Sequence, residues 1–517
     1  MTDVDDYAHF PHLLPATYRP AALLECRGNP LIEALPPLRS GEEMVPVFGR
    51  RPPFDRSERS LSATERMLCV SRLNNYLFMM PAHETIVEQL GLLIHGGYMY
   101  RNPAQPDFKK ALVEFYRQSM DGKLQPIETS GPSTAPSFSL FGVSGAGKST
   151  VLERALSFYP RAIQHPVHGI LQLVWLKVDC PPDGSLKQLL LAIIVQIDAI
   201  LGTSHMDEIN RSDPIDKLIF DVARVAALHH LGALVVDEIQ HLLDAPGVGP
   251  AKMLNFFVTF ANEVKIPFVV LGTPKAKRML GTLLREARRL SDQGSYEWDR
   301  MKQDEDWDLF LNALWKYQWL KQAGALTPEV SEAMYDQTQG VSALVVRLFQ
   351  LSQWHAIRSK SESITASLIN HVAKEQFKLL QDFITALRSG DREAAGRFED
   401  IYQAEIKKLN NVTHLNYIDP KLEETATNKL RKRFVSNLIY GGCEPSEASG
   451  LAEKIFSNPR LETIQTKQLA GLTKRARSLE TIDGLITTVA IAQAGRQDPI
   501  EALEAAGYFA DMEDGVA

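Results

Sequence analysis

Cysteine is scarce in this sequence: Cys26, Cys69, Cys180 and Cys443 are the four present in 517 residues. They lie far apart and form no C-x-x-C pair, which argues against a zinc site and against a disulfide framework. Long apolar runs are lacking too. The longest, "LLLAIIV" (Leu189 to Val195), is far too short for a membrane span. The opening "MTDVDDYAHF" is acidic, with no basic segment leading into an apolar one, so no signal peptide is expected. Positive charge is not in excess either. With 56 Lys and Arg against 63 Asp and Glu the net charge is −7, so any nucleic-acid binding has to use a local patch or a pore. These absences together lead to the expectation of a cytoplasmic protein with reduced thiols and no membrane partner.

What is present is ordinary globular material. Hydrophobic residues make up 44% and charged residues 23%, enough to build cores. The length suggests about three to four domains. Residues 1–130 read as an N-terminal extension that binds a partner or another domain. Between Phe10 and Phe54 proline recurs every few residues, so an irregular path is expected there. "HETIVEQLGLLIHGG" follows with one apolar helical face, and Gly96 and Gly97 suit its end.

From residue 131 to 303 the pattern changes. "SFSLFG", "LQLVWLKVDC", "GALVVDE" and "IPFVVLGT" are short, nearly continuous apolar runs. Such runs suit strands of a parallel sheet buried on both faces. "SLKQLLLAIIVQIDAIL" and "AKMLNFFVTFANEV" between them have helical periodicity, giving an α/β unit with helices on both sides. Residues 304–385 contain only helical patterns, and 386–517 read as a further helical region without tryptophan. Two basic clusters, "KLRKRF" and "KRAR", stand out in that tail.

The chemistry is concentrated in "SLFGVSGAGKST". Gly142, Val143, Ser144, Gly145, Ala146, Gly147, Lys148, Ser149 and Thr150 spell the G-x-x-x-x-G-K-[ST] loop and its margin. Glycines let successive N–H groups face phosphate oxygens, and the helix that follows adds its positive end. Lys148 is expected on the β- and γ-phosphates of ATP, and Ser149 on Mg²⁺. Asp237 and Glu238 close an apolar strand, an expensive place for two carboxylates unless they face a metal or water. Asp237 is expected to hold Mg²⁺ through its water shell and Glu238 to polarise the attacking water. Thr273, at the end of the next strand run, is placed to touch the γ-phosphate or that water. "KAKRMLGTLLREARRL" carries six basic residues, and Arg288 and Arg289 fall where an arginine reaches a neighbouring subunit's γ-phosphate. Which of the two does so stays open.

In this order, the motifs resemble the AAA+ ATPases: an α/β P-loop NTPase core, a parallel sheet flanked by helices, and a helical lid. "GNPLIEALPPL", "GGYMYRNP", "KVDCPPDGSLK", "VVDEIQHLL", "KMLNFFVTF", "LGTPKAKR", "REARR" and "QGVSALVVRLF" extend the resemblance to the TnsC/TniB family. These are the ATP-dependent regulators of heteromeric cut-and-paste transposons. The resemblance spans about residues 20–390 and implies a slow ATPase that assembles on double-stranded DNA as a homo-oligomeric ring or filament. It further implies a target selector of TnsD/TniQ type, a transposase of TnsA and TnsB type contacted by the tail, and a bacterial, DNA-associated setting. Lys187 and Lys252 are the candidates for contacts to DNA phosphates.

Departures remain. Ala343 stands where AAA+ lids often place an arginine. Arg347, one turn later, therefore reads as a packing or surface salt-bridge residue. His229, His230 and His241 lack ligand spacing and read as helix-end or core histidines. Two other functions fit the P-loop: a motor or loader ATPase of another DNA process, and a signalling switch without DNA.

Overall fold

The computed structural model describes residues 12–244 except 124, 129–130 and 132–133, then 256–277, 295–390 and the single positions 402, 405, 435 and 450. The chain divides into two units, Met1–Tyr417 and Ile418–Ala517. Everything described below belongs to the first.

A five-stranded parallel sheet organises this unit. Its strands are β2 (Ser137–Gly142), β5 (Trp175–Asp179), β6 (Ala233–Asp237), β7 (Phe268–Gly272) and β8 (Ser295–Trp298), in the order β5-β6-β7-β2-β8. Every residue of β2, β6 and β7 is buried, as continuous apolar runs require of central strands. Successive side chains of β6 enter opposite layers. Ala233 and Val235 join one apolar core and Leu234 and Val236 the other, the period of two that a strand imposes.

The first layer holds α1 (Pro30–Glu33), α2 (Gly41–Phe48), α4 (Pro81–Met99) and α6 (Lys148–Leu156). The second holds α5 (Pro106–Met120), α7 (Leu186–Leu201) and α8 (Ile215–Leu228). Helix α7 illustrates the local logic. Ser185 caps its start by accepting from Gln188 N, and Gly202 ends it in the left-handed conformation. Leu189, Leu190, Ile193, Ile194 and Ile197 form its buried face. Among the described residues a second, three-stranded sheet joins β1 (Leu13–Pro15), β3 (Ala162–His165) and β4 (Ile170–Leu173), with β1 parallel and β4 antiparallel to β3.

A separate helical core follows, from α10 (Glu305–Trp315), α11 (Pro328–Thr338), α12 (Ser342–Arg358), α13 (Ala366–Gln376) and α14 (Gln381–Ser389). Helix α9 (Gln240–Asp244) lies between β6 and the undescribed residues 245–255.

Three details differ from the sequence reading. The run "LQLVWLKVDC" is two strands, β4 and β5, in two different sheets. Helix α4 runs through Gly96 and Gly97 to Met99. Gly97 is there for space, because a Cβ would meet the ring of Pro267 and the Gly232 carbonyl. Residues before 131 also feed all three cores, with Phe108 and Phe115 of α5 in the second layer. Leu31, Met44, Phe48 and Leu90 pack on the sheet, whereas α3 (Ala63–Val70) and Leu73 pack into the helical core of α10–α14.

Candidate nucleotide-binding site

Strand β2 ends at Gly142 and its chain turns directly into α6 through residues 143–147. Gly145 (φ +76°) and Gly147 (φ +98°) take left-handed conformations that glycine adopts at little cost and other residues rarely do. Gly147 is the N-cap of α6, so the first N–H groups of the helix open toward the loop. Gly142 is under a different constraint: its Cα faces the Trp298 carbonyl at close range, leaving no room for a side chain. The sheet order sets all this beside a crevice. Strand β2 lies between β7 and β8 and away from β5, a topological switch point outside the carboxyl ends of the strands.

The crevice is a cavity of about 800 Å³. Residues 144–151, Glu238 and the start of α12 line it, and Tyr76, Phe78 and His83 close it from the N-terminal segment. Lys148 is buried, and its Nζ donates to the carbonyls of Gly142 (2.6 Å) and Val143 (3.1 Å). Ser149 is half-buried and Thr150 exposed.

Asp237 is 3% exposed at the end of β6. Its Oδ1 accepts the Glu238 N–H at 2.9 Å and its Oδ2 lies 3.1 Å from Lys177 Nζ. Burial alone would lower the Lys177 ammonium, but Asp237 and Asp179 hold it well above the ordinary lysine value. Glu238 takes φ +55°, a conformation that costs a non-glycine residue roughly 1–3 kcal/mol and that clusters at functional sites. Its carboxylate accepts from Gln240 Nε2. Thr273 is buried just beyond β7 and caps the turn that follows, its Oγ1 accepting from Ala276 N at 3.4 Å. It does not line the cavity.

Several residues of this site carry no motif. Trp298 donates from Nε1 to the P-loop carbonyl of Ala146 at 2.8 Å and stacks on His83, ring centroids 5.2 Å apart. Burial lowers the His83 imidazole to about 4. The helical core reaches the loop as well: Ser342 Oγ and Ala343 N donate to the Gly145 carbonyl at 3.2 and 3.1 Å. Arg347 lines the cavity and is 2% exposed. It donates to Gln350 (3.0 Å) and lies over the Trp354 ring at 5.1 Å, and burial lowers it to about 10. This is the packing role read from the sequence, in the interior and not on the surface.

Among the remaining predicted residues, Lys187 is half-buried at the start of α7 and away from the cavity lining. Lys252, Arg288 and Arg289 lie outside the described residues, as do both basic clusters of the tail. His229 caps the end of α8 and, like His230, is buried. His241 sits in the short α9. Among the described residues no group of three or more His, Cys, Asp or Glu is arranged to hold a metal, and no helix is long and apolar enough to cross a membrane.

Residues 131–280 match the family model described as AAA domain. The chain has the AAA+ P-loop fold. No curated protein matches it. Solved structures with partial likeness include the ORC1 protein of Aeropyrum pernix in complex with DNA, at 15% identity over 62% of this chain and 84% of that one, TM-score 0.34. Cdc6p from Pyrobaculum aerophilum is 14% identical over 70% and 89%, TM-score 0.38. The Walker-type ATPase of Pyrococcus abyssi is 15% identical over 61% and 86%, TM-score 0.34.

Proposed function

We propose that the chain is an ATP-hydrolysing switch that assembles on duplex DNA and regulates transposition. It would link a target selector of TnsD/TniQ type to a transposase of TnsA and TnsB type. One observation carries the nucleotide half of this reading. The P-loop, Glu238 and the first turn of α12 converge on one cavity, although each lies roughly a hundred residues from the next in sequence. The transposition half is supported by the sequence blocks outside the AAA domain, above all "GNPLIEALPPL" and "GGYMYRNP".

In this reading the loop N–H groups and Lys148 hold the phosphates, and Lys148 leaves its own loop carbonyls to do so. Ser149 and Asp237 are hard oxygen donors of the kind Mg²⁺ prefers. Mg²⁺, when bound, neutralises charge on the phosphates. Glu238 orients a water for attack and Arg288 or Arg289 reaches in from a neighbouring subunit; Thr273, which caps the turn just beyond β7, reaches that water only by leaving its cap. Lys187 and Lys252 serve DNA phosphates. Residues 131–303 act as the core, 304–385 as the lid and 386–517 as the contact to the transposition machinery.

Glu238→Gln tests the switch. The variant should bind ATP with wild-type affinity, hydrolyse it about a hundred-fold more slowly, and stay longer on DNA. Rapid release of this variant from DNA in ATP would contradict the proposal.

A further inference from the structure

Three carboxylates from three elements meet at one ammonium. Lys177 Nζ lies 2.7 Å from Asp179 Oδ1, 3.1 Å from Asp237 Oδ2 and 3.2 Å from Glu153 Oε1. These belong to β5, β6 and α6. The register explains the meeting. Asp179 pairs with Asp237 across the parallel ladder, and Lys177 pairs with Val235. Lys177 and Asp179 therefore share a face, two residues apart, and the lysine stem runs up to the strand ends.

The partners are unequally exposed. The Asp237 side chain is 5% exposed and that of Lys177 14%, against 68% for Asp179 and 56% for Glu153. Both oxygens of Asp237 are engaged by the protein, Oδ1 by the Glu238 N–H and Oδ2 by Lys177. An enclosed carboxylate without such partners is costly. Three carboxylates around one point, without a cation, would repel each other and attract a dication.

We propose that Lys177 is the resident counter-ion of this cluster and the positioning residue for Asp237. It holds the Asp237 carboxylate in place before any metal arrives, so that Mg²⁺ enters with the nucleotide and not alone. The positioning half rests on the ATPase reading above; the counter-ion half does not.

The test uses the full chain without nucleotide. Thermal melting is followed with and without millimolar MgCl₂ or MnCl₂, and Mn²⁺ binding is read by electron paramagnetic resonance. Wild type and Lys177→Arg should melt at the same temperature with and without the dication. Lys177→Met should melt lower by about 3 °C or more and recover in MgCl₂ or MnCl₂ but not in NaCl of equal ionic strength. It should also bind Mn²⁺ about ten-fold more tightly than wild type. In MgATP it should lose kcat with KM little changed, and Lys177→Arg should restore kcat. Melting of Lys177→Met that ignores dications would overturn the proposal, as would a Lys177→Arg variant behaving like Lys177→Met. If Lys177→Met does not fold, Lys177→Gln takes its place with the same expectations. Wild-type chain that fails to bind MgATP would sink the ATPase reading, while the melting series still decides on the counter-ion.

Discussion

At Gly145 two independent constraints exclude a side chain. Its φ of +76° is left-handed, and a Cβ would run into the hydroxyl of Tyr402. The same residue's carbonyl is held by Ser342 and Ala343 of α12. A single P-loop position thus joins the phosphate cradle to the helical core. Gly145→Ala should lower the melting temperature and weaken nucleotide binding. Tyr402→Phe in that background should recover part of the melting loss, since contacting residues couple by roughly 0.5–3 kcal/mol. Strict additivity of the two substitutions would show that the ring does not press on the loop. The loop was legible in the sequence because its geometry is local: glycines, lysine and hydroxyl act within nine residues. Lys177 and Trp298 were not legible. Each acts across the sheet, on Asp237 and Ala146, and nothing next to either residue in sequence announces its partner.

Among the described elements, α3 depends on a distant partner. Arg66, 2% exposed, reaches Glu362 through two hydrogen bonds of 2.7 and 2.6 Å and also donates to the Trp319 carbonyl at 2.9 Å. Burial would raise the Glu362 carboxyl, but Arg66 outweighs it and holds the group below the usual range. The pair therefore contributes stability above the unfolded glutamate value and loses it as pH falls through the folded one. Glu362→Ala leaves a buried guanidinium without its anion, so unfolding by urea should show a loss of about 3–5 kcal/mol. A loss under 1 kcal/mol would mean that α3 is held by apolar packing alone. The sequence pointed to the helices of this core by their periodicity, but not to α3 as one of their neighbours. The contact spans nearly three hundred positions, and its two charges look like ordinary surface residues when read in order. The strands show the same limit. β2, β6 and β7 were readable as buried runs, whereas the break between β4 and β5 depends on which sheet each half joins. Gly97 looked like a helix end for a similar reason, since Pro267, which demands the glycine, is remote in sequence.

For the whole molecule, buried histidines add to the response to acid. Burial lowers His83, His95 and His229 to about 4 and His230 to about 3. Unfolded histidines titrate near 6.5, so between about pH 6.5 and 4 the unfolded chain binds more protons and stability rises with pH. The melting temperature should fall steadily as pH drops from 7 to 5, with net proton uptake on unfolding. A flat profile would mean that these imidazoles are solvated.

Two cores share the cavity at the P-loop, one on a face of the sheet and one around α10–α14, and the P-loop touches both. In the proposed function this arrangement gates an assembly by nucleotide, with the AAA domain as the part that reads ATP. The most direct measurement is electron microscopy of the full chain with duplex DNA, comparing a non-hydrolysable ATP analogue with ADP. Rings or filaments on DNA with the analogue, absent with ADP and absent for Lys148→Ala, are the predicted result. Equal assembly in both nucleotides, or none in either, would contradict it.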